Sequence, residues 1–287
     1  MISPEAIRVN GRPAREVSAL ERGLHYGDGL FETIACVRGG ARLLEQHLRR
    51  LASGCARLGI APIDPAAIAA EVREAAAESD RAIVKILVTR GPATARGYAA
   101  SGEEQPTRVM LRYLWPEDDA ALSEQGVRVR IASVRLGENP ALAGLKHCNR
   151  LEQVLARREC ADAGFGEALM FSSSGALISG TMSNVFIVQD SMLLTPCVDR
   201  CGVAGVMRAE VLATAAAAGI RVEERRLDGD DLERSQELFL TNALMGIRPA
   251  REVAGRSLVP GTLTRHLQAQ LAARLSSAAD GSEDAHR

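Results

Sequence analysis

Two rhythms of apolar and polar positions divide the chain: an alternation with a period of two, and a recurrence every three or four residues. Between Ala6 and Val17 two short alternating runs flank Asn10-Gly11, a pair that supplies the positive φ values of a tight turn, so the chain opens on a predicted β-hairpin. Three glycines in Gly27-Asp-Gly29 and just before it, at Gly23, lead into the apolar strand pattern that begins Leu-Phe-Glu-Thr33. Such a loop lets backbone approach a ligand closely, and equally it turns corners. Leu44, His47, Leu48, Leu51, Cys55 and Leu58 share one face of a helix over 43–58, with Arg49 and Arg50 in its middle. Pro65 suits the first turn of a second helix, over 65–79. Strands follow at 82–91 and 108–115, joined by a Gly/Ala/Ser loop that holds Arg96, Gly97 and Tyr98. Hairpin, helices and strands in this order predict an α+β first domain.

The polar, acidic stretch 116–125 marks a domain boundary. Beyond it Val127–Leu136 alternates cleanly, and Leu151, Val154 and Leu155 recur at helical spacing, the start of an amphipathic helix. Strands are expected at 167–172, 177–187 and 192–194; Gly202-Val-Ala-Gly205 then turns into a helix lasting to Ala218. A strand at 221–227, a short acidic helix near Asp231, strands at 237–244 and 246–253 and a helix over 263–275 complete the pattern. The expected division is a smaller domain at 1–115, a linker at 116–125, a larger domain at 126–275 that carries Lys146, and a partly disordered polar tail at 276–287.

A chain of 287 residues is long enough for two cores, and 46% hydrophobic with 25% charged residues is ordinary for a globular protein. A formal net charge of −1 offers no broad electrostatic footprint for nucleic acid or an anionic membrane. Nor does any window approach the length of about 18 apolar residues that a membrane span needs, and the first residues lack a basic-then-apolar leader pattern, so the expected location is the cytoplasm. Six cysteines at 36, 55, 148, 160, 197 and 201 form neither a secreted disulfide framework nor the paired spacing of a zinc site.

Two stretches carry candidate chemistry. Lys146 follows apolar Leu142, Ala143 and Leu145 in a short loop before the helix at Leu151. Apolar surroundings disfavour the charged ammonium and leave the amine nucleophilic; on this stretch alone a lysine capping the loop at the surface is the favoured reading, and the rest of the chain shifts the balance. The second stretch is the glycine turn before Val206. N–H groups at a helix start have no partner inside the helix, and the dipole favours an anion there.

Seven segments in unbroken order then carry a resemblance: Tyr26-Gly-Asp-Gly-Leu-Phe-Glu-Thr33, His47-Leu-Arg-Arg50-Leu51, Arg90-Gly followed by Arg96-Gly-Tyr98, Leu142-Ala-Gly-Leu-Lys146-His-Cys-Asn149-Arg-Leu-Glu-Gln-Val-Leu, Ser183-Asn-Val-Phe186, Gly202-Val-Ala-Gly-Val-Met-Arg208 and Thr241-Asn-Ala-Leu244. Together they resemble the two-domain, D-amino acid aminotransferase-like fold of the fold-type IV enzymes that use pyridoxal 5′-phosphate, and within them the 4-amino-4-deoxychorismate lyases. The resemblance implies that Lys146 forms the Schiff base and later moves the proton. It implies that Arg50 and the N–H groups of Val206 and Met207 hold the cofactor phosphate, with the Asn242-Ala243 loop closing over it, and that Asn149 reaches the phenolate. Arg96 is its candidate for a substrate carboxylate, with Tyr26 beside it. Thr33 would position a proton near the reacting carbon; its alternative is an ordinary strand threonine. A homodimer, a small-molecule substrate and release of 4-aminobenzoate and pyruvate are the further implications.

One departure stands out. Most relatives keep a glutamate, before the Ser-Asn-Val-Phe segment, that protonates the pyridine nitrogen; counting back from Asn184 puts Ser179 there. A hydroxyl cannot enforce protonation as a carboxylate does, so a weaker electron sink is expected. An elimination that ends in an aromatic ring tolerates this better than amino-group exchange does. Two readings stay beside the lyase: a branched-chain or D-amino acid aminotransferase of the same fold, and a non-catalytic paralogue that binds the cofactor.

Overall fold

The computed structural model describes residues 3–115, 120–161 and 164–280, apart from the side chains of 120, 161 and 277–280. The chain divides into two compact units, Met1–Asp118 with Leu145–Asn149, and Asp119–Gly144 with Arg150–Arg287. No helix among the described residues is long and apolar enough to cross a membrane.

In the first unit β1 (Ala6–Val9) turns through Asn10 and Gly11, at φ 50° and 79°, into β2 (Arg12–Pro13). After α1 (Arg22–Tyr26) come β3 (Gly29–Val37), β4 (Gly40–Ala41), α2 (Leu44–Leu58), α3 (Pro65–Ala77), β5 (Arg81–Thr89) and β6 (Thr107–Leu114). The strands form one antiparallel sheet in the order β2-β1-β6-β5-β3-β4. Strand alternation gives it two unlike faces. On β5, Ala82, Val84, Ile86 and Val88 are fully buried, whereas Ile83, Lys85 and Leu87 on the other face are half-buried. Helix α2 buries the expected stripe of Leu44, His47, Leu48, Leu51 and Cys55, and α3 starts at Pro65 because the Asp64 carboxylate caps the N–H groups of Ala66 and Ala67.

The second unit holds α4 (Ala120–Gln125), β7 (Val127–Ile131), α5 (Leu151–Ala161), β8 (Glu167–Phe171), β9 (Leu177–Gly180), β10 (Asn184–Gln189), β11 (Met192–Pro196), α6 (Val206–Ala217), β12 (Val222–Arg225), α7 (Gly229–Arg234), β13 (Glu237–Asn242), β14 (Gly246–Val253), β15 (Arg256–Ser257) and α8 (Thr262–Asp280). Its mixed sheet runs β12-β11-β10-β13-β14-β7-β8-β9, with β15 on β14. Successive residues enter different cores: Leu169 and Leu177 pack with Ile187, Leu194 and Leu240, while Met170 and Ile178 pack with Ala156 and Cys160. Burial on both faces explains why these strands read as continuous apolar runs.

Several expectations change. Of the expected linker, 116–119 lies outside the described residues and Ala120–Gln125 is helical. The alternating run from Val127 ends as a strand at Ile131. The run 177–187 is two strands, because the buried Glu167 carboxylate gathers the intervening turn: it accepts from the N–H groups of Thr181 (3.1 Å) and Met182 (3.3 Å) and from the hydroxyls of Thr181 and Ser183. The apolar stripe on α5 is not its buried face; Leu151, Val154 and Leu155 are 78%, 53% and 48% exposed, and the helix meets its core through the smaller Ala156 and Cys160. Helix α8 continues to Asp280, and the rest of the expected tail, 281–287, lies outside the described residues.

The start of α7 yields an acid-sensitivity prediction. Asp231 completes a capping box with Asp228 and accepts both arms of Arg225 at 2.8 Å. The Arg225 hydrogen bonds lead the causes that lower its carboxyl from an ordinary 3.8 to about 2. A depressed carboxyl contributes stability that is fully present above the ordinary value and is lost as pH falls toward the folded one. Asp231→Asn is therefore expected to be less stable than wild type in urea unfolding at neutral pH, with the gap closing near pH 2.

Candidate active site

Lys146 is placed by backbone pairing. The N–H of Phe31 donates to the Lys146 carbonyl (3.0 Å), the N–H of Cys148 donates to Gly29 (2.9 Å), and Leu30 bridges His147 in antiparallel fashion. Leu145–Asn149 thus extends the β3 side of the first unit's sheet, and groups with that unit rather than with the larger domain in which the sequence reading put it. The chain has only two lysines among 35 lysines and arginines, and both amines lie against one ring: Lys146 Nζ is 4.4 Å and Lys85 Nζ 5.3 Å from the Phe31 centroid. Phe31 and Thr33 share a strand face, and Thr33 stands directly opposite Lys85 in the β3–β5 register. One sheet face therefore carries Lys146, Lys85 and Thr33.

The opposite face of β3 carries Glu32, 1% exposed between buried Leu30 and Ile34. Its carboxylate accepts from His47 Nδ1 (2.7 Å) and from Arg50 through Nε (2.8 Å) and Nη2 (2.5 Å). Burial pushes the Glu32 carboxyl up, but the hydrogen bonds from His47 and Arg50 outweigh it and hold the group below the ordinary glutamate value. Arg50 thus commits one two-pronged edge of its guanidinium to Glu32.

Arg96 is exposed in the loop after β5, and that loop is pinned. Buried Arg22 donates to the carbonyls of Tyr98 (2.7 Å), Gly97 and Ala99 (both 3.4 Å), and shares the Asp28 carboxylate with Arg90. Tyr26 packs 5.2 Å from the Tyr98 ring and 5.1 Å from the Arg22 guanidinium. Asn149 donates to the Gly27 carbonyl (3.3 Å), and its amide lies where a Cβ on Gly27 would come within 2.5 Å, so residue 27 is glycine both for that contact and for its left-handed φ of 64°.

In the second unit Ser179 is buried on β9, its hydroxyl donating to the Gly180 carbonyl (2.8 Å). Val206 and Met207 open α6, and its N-cap Gly205 supplies no side chain to satisfy the first N–H groups. A Cβ at Gly205 would stand 2.0 Å from the Asn184 amide oxygen. Asn242 folds its own turn, its amide oxygen accepting from the N–H groups of Leu244 (3.0 Å) and Met245 (2.9 Å) and its nitrogen donating to Met182 (3.2 Å); Ala243 lies in that turn.

Residues 29–253 match the family model of amino-transferase class IV. The chain belongs to the class IV aminotransferases. Within that family it is similar to a 4-amino-4-deoxychorismate lyase of Pseudomonas aeruginosa, whose crystal structure superposes with a TM-score of 0.88 at 46% identity, over 92% of this chain and 97% of that one. It is 34% identical to an aminodeoxychorismate lyase of Vibrio harveyi over 92% of this chain and 98% of the relative, and 32% identical to a putative branched-chain-amino-acid aminotransferase of Methanocaldococcus jannaschii over 87% and 88%. The fold-type IV architecture expected from the motifs is borne out by this match.

The motif reading gave Glu32, His47, Lys85 and Glu167 no role, although Glu32 and His47 stand within its segments. Glu32 did leave a signal, a carboxylate in the middle of an apolar strand that must find partners. His47 and Arg50, three apart on one helix face, were the pair able to supply them.

Proposed function

We propose that this class IV aminotransferase relative is a pyridoxal 5′-phosphate-dependent carbon–oxygen lyase that converts 4-amino-4-deoxychorismate to 4-aminobenzoate and pyruvate. The observation that carries the reading is the Lys146 amine, held 4.4 Å from the Phe31 ring on the strand face that also presents Thr33. Its placement fits an amine that must be half-shielded yet reachable, and the uncapped start of the 12-residue helix α6 fits an anion. The likeness to both named lyases along nearly their whole length supports the same reading.

When bound, the cofactor supplies an electron sink in its pyridine ring. Lys146 removes the proton from the amine-bearing ring carbon of the substrate. The neighbouring carbon–oxygen bond breaks, the departing enolpyruvyl group takes up a proton to become pyruvate, and the remaining ring becomes aromatic. The Thr33 hydroxyl orients a proton on that face. Arg50 in the first unit, and the Val206 and Met207 N–H groups with the Asn242-Ala243 turn in the second, are the phosphate-holding candidates. Asn149 is the candidate for the phenolate, Ser179 for the pyridine nitrogen, and Arg96 with Tyr26 for a substrate carboxylate. A homodimer in the cytoplasm is part of the proposal; the exposed Leu151, Val154 and Leu155 of α5 suit an interface better than solvent.

The discriminating measurement compares two rates on purified enzyme. Pyruvate and 4-aminobenzoate should appear in equal amounts from 4-amino-4-deoxychorismate, far faster than amino groups exchange between common amino and keto acids. Equal rates would favour the aminotransferase reading, and absence of both the non-catalytic one.

A further inference from the structure

Strand β3 serves two faces at once. Phe31 and Thr33 look toward the Lys146 amine, and Glu32, between them, looks the other way into the unit's interior. There Glu32 and His47 are each 1% exposed, whereas the Arg50 side chain is 16% exposed; Arg50 is the member of the cluster that reaches the surface. A buried ion pair is weak evidence for stability, because well-packed apolar residues of similar volume do as well or better. Three polar side chains maintained inside an apolar layer therefore call for another reason, and a fixed guanidinium direction is one.

We propose that Glu32 and His47 are positioning residues for the cofactor phosphate, acting through Arg50. This rests on the reading of the chain as a pyridoxal 5′-phosphate enzyme and extends it by two residues. Glu32 grips the guanidinium at Nε and Nη2, so the plane of the group is set by two bonds instead of by a flexible side chain. His47, through Nδ1 at 2.7 Å, fixes the Glu32 carboxylate that does the gripping. Because Phe31 and Glu32 are consecutive, the same strand sets the place of the lysine amine and the direction of the arginine.

The test measures binding of pyridoxal 5′-phosphate to apoenzyme by equilibrium dialysis, with the ³¹P resonance of the bound phosphate as a second readout. Glu32→Gln should weaken binding by at least about tenfold, as loss of a charge-assisted contact does, and shift the ³¹P line. Arg50→Met should weaken it at least as much. The double variant should bind no worse than Arg50→Met alone, since Glu32 acts only through Arg50. His47→Asn, which keeps a donor near the Nδ1 position, should stay close to wild type, and His47→Leu should not. Effects of Glu32→Gln and Arg50→Met that simply add, or a folded Glu32→Gln protein with wild-type affinity and ³¹P shift, would overturn the inference. If Glu32→Gln does not fold, the two His47 variants decide: equal affinities overturn it, a loss confined to His47→Leu supports it. A wild-type protein that does not bind the cofactor at all would instead overturn the reading underneath.

Discussion

Lys146→Ala should lower the rate of pyruvate release from 4-amino-4-deoxychorismate by at least about 10³-fold, the scale on which a positioned proton-transferring amine contributes. The fold should survive, because Lys146 is half-buried and its stretch is placed by backbone bonds, from Phe31 to the Lys146 carbonyl and from Cys148 to Gly29, which alanine retains. Lys146→Arg is the sharper variant. It keeps a cation within reach of the Phe31 ring but cannot give up its proton, so it too should be inactive. A coupled pyruvate assay beside circular dichroism checks both. Activity retained by the arginine variant would mean that this position supplies charge and not amine chemistry.

The second large effect is expected at Gly205. Its φ of −66° suits any residue, so the constraint is space alone: a Cβ would lie 2.0 Å from the Asn184 amide oxygen. Asn184 cannot easily retreat, since its amide donates to the Val203 carbonyl (2.9 Å) and its backbone is paired with Thr241. Gly205→Ala should therefore cost about 1–3 kcal/mol of stability, as overpacking does. Because the same shift disturbs the N–H groups of Val206 and Met207, cofactor affinity should fall about tenfold or more. Gly229→Ala is the control: nothing lies within 4 Å of its added Cβ, and stability and affinity should stay near wild type. Urea unfolding and cofactor titration of the two variants make the comparison, and equal behaviour would refute the steric account.

What could be read from the residues follows from how local each signal is. The hairpin rests on Asn10-Gly11 and α3 on Asp64 and Pro65, all adjacent in the chain, so both were legible. Helix α2 was legible because its whole buried stripe is apolar apart from His47. The break between β9 and β10 was not, because it is imposed by Glu167, a carboxylate from a neighbouring strand. Helix α5 misled for a different reason. Its conspicuous residues, Leu151, Val154 and Leu155, are the exposed ones, and its core contact is made by small side chains that carry little periodic signal. At the candidate site, motif order pointed to Lys146 and Arg50 singly. It could not show that one strand, β3, holds both, since pairing of Leu145–Asn149 with Gly29–Phe31 joins residues more than a hundred positions apart.

The most direct test of the account uses the scarcity of lysine. With only Lys85 and Lys146 in the chain, apart from the terminal amine, borohydride reduction in the presence of pyridoxal 5′-phosphate followed by peptide mass spectrometry has few possible outcomes. The account predicts one pyridoxyl group per chain, on the peptide containing Lys146, with Lys85 unmodified. A pyridoxyl group on Lys85 with Lys146 free, or no adduct under conditions that saturate binding, would contradict it.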